Sequence, residues 1–254
     1  MTMSLLPKHT RIAYRDHLRD ARARAFSDAE GFQEVLFAIE HLGTALLHRA
    51  GTLNDYEGKL RRLAETSHLA FCLPKKFRCL YTPFDVLYRI VRVARNDALH
   101  QGAYARHITA HTVELSIVLE DALTIDCTTV ADFMVKFVIQ AELWQPLAFL
   151  RQQMLTSSFS YLPLCIPGRG WRLISDHSLA TALRQTAGKR ADCLGMTLEK
   201  AIADSLIDPP EATLVKPDVE IDVALALMKD RPVLVQHPDN PDQIIGIVTA
   251  FDLM

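Results

Sequence analysis

Between Thr10 and Leu123, apolar residues recur at three- and four-residue intervals. Phe32, Leu36, Ile39, Leu42, Gly43, Leu46 and Leu47 fall on one face of a helical projection. With 3.6 residues per turn, that spacing predicts amphipathic helices burying a common stripe. The expected breaks are a cap at Ser27-Asp28, a connection over Gly51 to Asn54, a stop at Leu73-Pro74 and a new start at Thr82-Pro83. The helix opened by Pro83 should turn Phe84, Leu87, Ile90, Val91 and Ala94 inward and lead into Arg95.

Beyond Leu123 the texture changes. Short apolar runs (Phe137-Val138-Ile139, Tyr161-Leu162-Pro163-Leu164, Val233-Leu234-Val235 and Ile244-Ile245-Gly246-Ile247-Val248) alternate with helix-like segments and are bounded by turn residues. Two stretches share one order: strand, helix, short strand near a proline, turn, strand, then a Ser or Thr before a helix start. The expected fold class is α plus α/β: an all-helical bundle over 1–125, then a tandem α/β domain over 126–254. Its repeats run from about 126 to 188 and about 196 to 254.

Length and charge sharpen this picture. A chain of 254 residues suits two ordinary domains, and 49% hydrophobic with 23% charged residues is enough apolar material for packed cores. No run of about 20 apolar residues occurs, and Met1 to Arg24 is rich in Arg and His where a secretory leader would be apolar. The expectation is a cytoplasmic protein with no membrane role. Five cysteines without a CxxC pair suggest reduced thiols rather than disulfides or zinc. His107, His111 and Glu114 offer a helical pair and a carboxylate but no further ligand of standard spacing, so no metal site is expected. Residues 1–106 hold 17 Lys/Arg against 11 Asp/Glu, and 107–254 hold 11 against 19. Within the basic half, Arg11, Arg15, Arg19, Arg22 and Arg24 form a helical stripe that suits either a polyanionic partner or solvated surface.

Arg95-Asn96-Asp97-Ala98-Leu99-His100 follows the helix from Pro83. Five residues place Arg95 and His100 about one and a half turns apart, within reach of one phosphate. A neutral imidazole can move the 2'-hydroxyl proton of RNA, and a guanidinium can stabilise the extra phosphorane charge. This Arg-Asn-x-x-x-His element resembles that of the HEPN ribonucleases. The resemblance implies a catalytic Arg95 and His100, an orienting Asn96, a homodimer, an RNA substrate and no cofactor for catalysis. It also implies toxin or antiviral-defence roles and a possible antitoxin or regulatory partner protein. The chain departs from that family's toxins at Gly102, where a Tyr often stands, with Tyr104 further on. Glu40, beside His41 in an otherwise apolar stripe, is either support for the Arg or His or a solvent-facing carboxylate.

The segment from Pro209 to Leu253 carries Thr213-Leu214-Val215, a helix with Ala224, Leu225 and Met228, then Arg231-Pro232-Val233-Leu234-Val235 and Gly246-Ile247-Val248-Thr249-Ala250-Phe251-Asp252. A strand ending in Gly-x-x-Thr-x-x-Asp sets a hydroxyl and a carboxylate at a helix start, where a phosphate and a ribose can be met. This segment resembles a CBS repeat. The resemblance implies an adenine-nucleotide ligand (ATP, ADP, AMP or related) held by Thr249, Asp252 and the strand around Thr213 and Val215. The earlier repeat matches less well: Ser175 stands for Thr249 and Ser178 for Asp252, so a second nucleotide site there would lack the bidentate acceptor. Trp171 and Phe251 are candidates either for base stacking or for core. A helix near Thr129 to Met134, or another chain, is a candidate to complete the site.

Joined, the two resemblances predict a metal-independent endoribonuclease regulated by adenine nucleotide. The alternatives are a non-catalytic nucleotide-sensing dimeric adaptor and a nucleic-acid-binding regulator using the arginine stripe.

Overall fold

A computed structural model describes residues 6–27, 31–97, 105–184 and 187–254. They divide into two compact units, Met1–Asp126 and Cys127–Met254.

The first unit is helical: α1 (Lys8–Ser27), α2 (Phe32–Leu47), α3 (Leu53–Ala64), α4 (His68–Lys76), α5 (Phe84–Asp97) and α6 (Ala105–Leu123). Phe32, Leu36, Ile39, Leu42 and Leu46 of α2 are buried, as are Phe84, Leu87, Val91 and Ala94 of α5. The 3.6-residue stripe therefore does mark the core face. Gly43 is the point of closest approach: a Cβ there would lie 2.5 Å from Cγ of Tyr56 on α3. Thr82, just ahead of α5, donates its backbone N–H to Glu114 on α6 at 2.8 Å, which gives that carboxylate a structural task. One expected break is corrected. Pro74 does not stop α4, which runs to Lys76 with Pro74 buried inside it. The helix is so short that the missing N–H forfeits one bond, and burial of the ring offsets the loss.

The arginine stripe is also corrected. Arg11 and Arg15 are buried, 3% and 2% exposed. Arg11 donates to the Leu123 carbonyl at 3.1 Å and to both oxygens of Asp126. Arg15 pairs with Asp16 at 2.7 Å, and Arg24 with Glu34 at 3.4 Å. Arg19 and Arg22 both pair with Glu120 of α6, itself 6% exposed. Arg11, Arg15, Arg19 and Arg22 thus form a largely buried ionic seam, and Arg24 lies at its exposed end, so the stripe as a whole is not the free cationic surface that the nucleic-acid-binding alternative needs.

The second unit contains α7 (Val130–Phe133), α8 (Leu147–Ser157), β1 (Tyr161–Ile166), β2 (Gly170–Ser175), α9 (Asp176–Ala182), α10 (Ala187–Gly195) and α11 (Leu198–Ala203). There follow β3 (Thr213–Val215), α12 (Ile221–Met228), β4 (Val233–His237), β5 (Asn240–Val248) and a 3-10 turn (Ala250–Leu253). β1 and β2 form an antiparallel pair in the register Tyr161↔Ser175 to Ile166↔Gly170. In the second sheet β3 runs parallel to β4, and β4 antiparallel to β5. Each repeat thus gives a helix followed by an antiparallel hairpin, and each has its own apolar cluster.

The leading segments are exchanged between repeats. α7 opens repeat one, yet Val130 belongs to the core of repeat two, and Thr129 bridges Glu220 at the start of α12. Met134 packs on Gly246, and Val135 exchanges two backbone hydrogen bonds with Ile247, at 2.9 and 3.1 Å. Conversely, α11 opens repeat two but puts Leu198 and Ala201 into the core of repeat one, with Thr197 bridging Pro146.

Repeat one lacks the strand expected at Phe137-Val138-Ile139. Only a single parallel bridge, Ala141↔Leu164, stands where repeat two has β3. Phe137 has φ 57 and is 97% exposed. A left-handed residue turns the chain away after Val135, so the ladder cannot continue.

Candidate functional site

The detour at Phe137 opens a cavity of about 750 Å³ within the second unit. Its walls come from Val135 and Phe137 to Ile139, the end of α8 and start of β1, the turn between α12 and β4, and Thr249 to Asp252 after β5. The volume lies within the roughly 300–1,000 Å³ of typical small-molecule sites. Phe137, Phe159 and Phe251 line it, and Phe251 is 71% exposed. Ser157, Ser158, Ser160, Lys229 and Arg231 add hydroxyls and cations. Three of the non-glycine residues with positive φ lie in its wall: Phe137, Ser158 and Lys229. Left-handed backbone at side-chain-bearing residues costs energy and tends to collect at binding sites.

Thr249 and Asp252 close a capping box over the terminal 3-10 turn. Asp252 Oδ2 accepts from the Thr249 N–H and hydroxyl, each at 2.8 Å. Asp252 is buried, 9% exposed, with one carboxylate oxygen committed to this box. The same arrangement recurs at Thr52/Asp55 and at Thr129/Asp132, and a serine version joins Ser175 and Ser178. At Asp55 the Thr52 N–H and hydroxyl hold the carboxyl below its ordinary value. Thr-x-x-Asp by itself is therefore a helix-start device in this chain. What sets Thr249/Asp252 apart is the cavity beside it.

The other expected positions fall elsewhere. Val215 is buried in the core of repeat two, and β3 spends its ladder on β4. Thr213 lines a second cavity of about 180 Å³ with Glu211, Lys229 and Arg231. That space shares Met228, Lys229, Arg231 and Pro232 with the first, and it is too small for a nucleotide. It is closed because the chain before β3 zips onto β2: Leu173 donates to Pro210 at 3.1 Å and Ala212 to Trp171 at 3.0 Å. Ser178 donates its N–H to Ser175 Oγ at 3.0 Å to cap α9, and neither serine is among the residues lining either cavity. Trp171 is core, packed with Leu173, Ala212, Leu234 and Ile244. Lys229, Arg231, Phe137 and the serines ending α8 were missed from sequence. The signal for Lys229, Arg231 and the serines was position, in the turns just before the two hairpins, whereas Phe137 carried the pattern of a strand.

In the helical unit, Arg95 lies at the end of α5 with its Nε 2.6 Å from Glu40 Oε1 on α2; the side chains are 44% and 19% exposed. Glu40 Oε1 receives no well-directed hydrogen bond, so the contact is mainly Coulombic. Beside it His41 stacks on His17, with ring centroids 5.4 Å apart. The Asn96 side chain and the whole of His100 lie outside the described residues, as do Gly102, Tyr104 and the His107 side chain. No helix among the described residues is long and apolar enough to cross a membrane.

No family model matches the chain, and no curated relative matches it. Solved structures similar to it are CBS-domain proteins, and the likeness covers the C-terminal half. One is a CBS-domain protein from Agrobacterium tumefaciens, 15% identical, covering 50% of this chain and 90% of its own, with a TM-score of 0.38. CBSX2, a protein of Arabidopsis thaliana, solved in complex with AMP, is 18% identical over 49% of this chain and 92% of its own, at 0.38. A CBS-domain protein from Kribbella flavida is 19% identical over 49% and 96%, at 0.40.

Proposed function

We propose that the C-terminal unit is a CBS-type sensor that binds one adenine nucleotide per chain and regulates the helical unit. The carrying observation is the cavity of about 750 Å³ that unites exposed phenylalanines, a serine-rich helix end, two cations and the Thr249/Asp252 cap. Aromatic faces accept a base, hydroxyls and cations accept a phosphate, and a carboxylate suits ribose hydroxyls. Titration calorimetry of the full chain with AMP tests the reading. Wild type binds one equivalent, and Phe251→Ala weakens binding about tenfold, as loss of one base-stacking face implies. Phe251 is exposed, so this variant keeps its fold. Equal heats from both proteins would reject the assignment.

For the helical unit, the exposure of Arg95 favours an effector in which Arg95, Asn96 and His100 cleave RNA without metal, two chains acting as a homodimer. A coupling of roughly 1–3 kcal/mol between nucleotide and effector would give about a 5- to 150-fold switch. The Glu40 contact favours the second reading, a non-catalytic adaptor in which Arg95 is a structural cation. Cleavage of labelled total RNA in EDTA separates them. The effector reading expects cleavage by wild type, none by His100→Ala, and a rate that changes with AMP. Intact RNA in every lane leaves the adaptor.

A further inference from the structure

The turn between α12 and β4 has a chemistry unlike its counterpart in repeat one. Both turns follow a helix and precede a hairpin, and both are left-handed at the helix end, at Ser158 (φ 53) and at Lys229 (φ 50). The first reads Ser158-Phe159-Ser160, neutral throughout, and the second reads Lys229-Asp230-Arg231-Pro232. With ψ −104, Lys229 has the conformation of the second residue of a type II′ turn, closed by the Arg231 N–H donating to Met228 O at 2.8 Å. Glycine ordinarily fills that place, because a side chain there is strained. Lys229 therefore carries backbone strain at a position that sets its charge in the cavity wall.

The formally charged residues lining the large cavity are Lys229, Asp230, Arg231 and Asp252. Asp230 lies 3.4 Å from Arg231 Nε, and its carbonyl accepts from the Tyr161 hydroxyl at 3.3 Å, which ties the turn to β1. The lining therefore has no net formal charge, and the turn itself carries +1. One ammonium and one guanidinium suffice for one phosphate. Each further phosphate adds negative charge, and the lining holds no further cation to meet it.

We infer that the 229–232 turn is the phosphate-recognising wall of this site, that Lys229 and Arg231 are its specificity-determining residues, and that its single net positive charge selects a nucleoside monophosphate over a triphosphate. This rests on the nucleotide-binding reading of the cavity. The test is titration of the full chain with adenosine, AMP and ATP in magnesium-free buffer, so that the cation does not mask the phosphate chain. Wild type is expected to bind AMP about tenfold or more tighter than ATP. Lys229→Gln lowers AMP affinity about tenfold and leaves adenosine unchanged, as loss of one charge-assisted contact implies. Asp230→Asn narrows the gap by strengthening ATP. Lys229→Gly loses AMP affinity in the same way yet melts about 2 °C higher, since it relieves the turn. That rise separates lost charge from lost fold. Equal binding of AMP and ATP by wild type, or an unchanged AMP-to-adenosine ratio in Lys229→Gln, overturns this inference and leaves the nucleotide site standing. Binding of none of the three ligands overturns both.

Discussion

Glu120→Ala lowers the unfolding free energy of the protein by about 3 kcal/mol, because it leaves two guanidiniums in a partly dry seam without their carboxylate. Glu120 is 8% exposed in its side chain, and its partners Arg19 and Arg22 are 26% and 18% exposed. Arg19 donates to one oxygen at 3.3 Å and Arg22 to the other, so the carboxylate clamps α1 to α6. Glu120→Gln keeps an acceptor and the shape of the side chain, and should cost clearly less, about 1–2 kcal/mol. Urea unfolding followed by circular dichroism measures both. A loss below about 1 kcal/mol for the alanine variant would mean that water, rather than this carboxylate, satisfies the arginines.

A destabilisation of similar size is expected from a change of one methyl group. An Ala in place of Gly in a helix interior ordinarily gains about 1 kcal/mol. At Gly43 the sign reverses, since the new Cβ would lie 2.5 to 2.8 Å from three atoms of Tyr56. Tyr56 is 2% exposed and cannot swing away, because its hydroxyl bonds Thr44 at 2.8 Å, the Gly51 N–H at 2.7 Å and the Gly51 carbonyl at 2.9 Å. Relief requires α2 and α3 to separate, so Gly43→Ala should cost about 2–3 kcal/mol net, the range of overpacked cores. The same urea titration reads it; a neutral or stabilised variant would show that the two helices are free to part.

These two sites show where sequence is a good guide to this fold. Apolar spacing alone placed Phe32 through Leu46 and Phe84 through Ala94 on core faces, since burial of a helix stripe is dictated by local period. Arg11, Arg19 and Arg22 of α1 share that period, and what they meet lies about a hundred residues away on α6 and just beyond it. A charge stripe records its own spacing but not its partner. The strand expected at Phe137-Val138-Ile139 failed for a related reason: Val135 is claimed by Ile247 of the other repeat, a pairing that no local pattern announces.

The candidate site was legible in the same partial way. Thr249 and Asp252 stood out as a motif, yet among the described residues that motif also caps α3 and α7, where neither its threonine nor its aspartate lines the large cavity. Cavity-forming residues such as Lys229 and Phe137 bear no motif. They are brought to the cavity by a left-handed turn and by the exchange of leading segments between the repeats, both consequences of tertiary structure.

Hydrogen–deuterium exchange of the full chain with and without AMP tests the central claim most directly. Binding in the large cavity predicts slowed exchange in peptides covering 135–139, 157–161, 228–232 and 247–252, four segments distant in sequence that share this cavity alone. Protection absent from these segments, or confined to peptides of the helical unit, would contradict a nucleotide sensor built on Thr249 and Asp252.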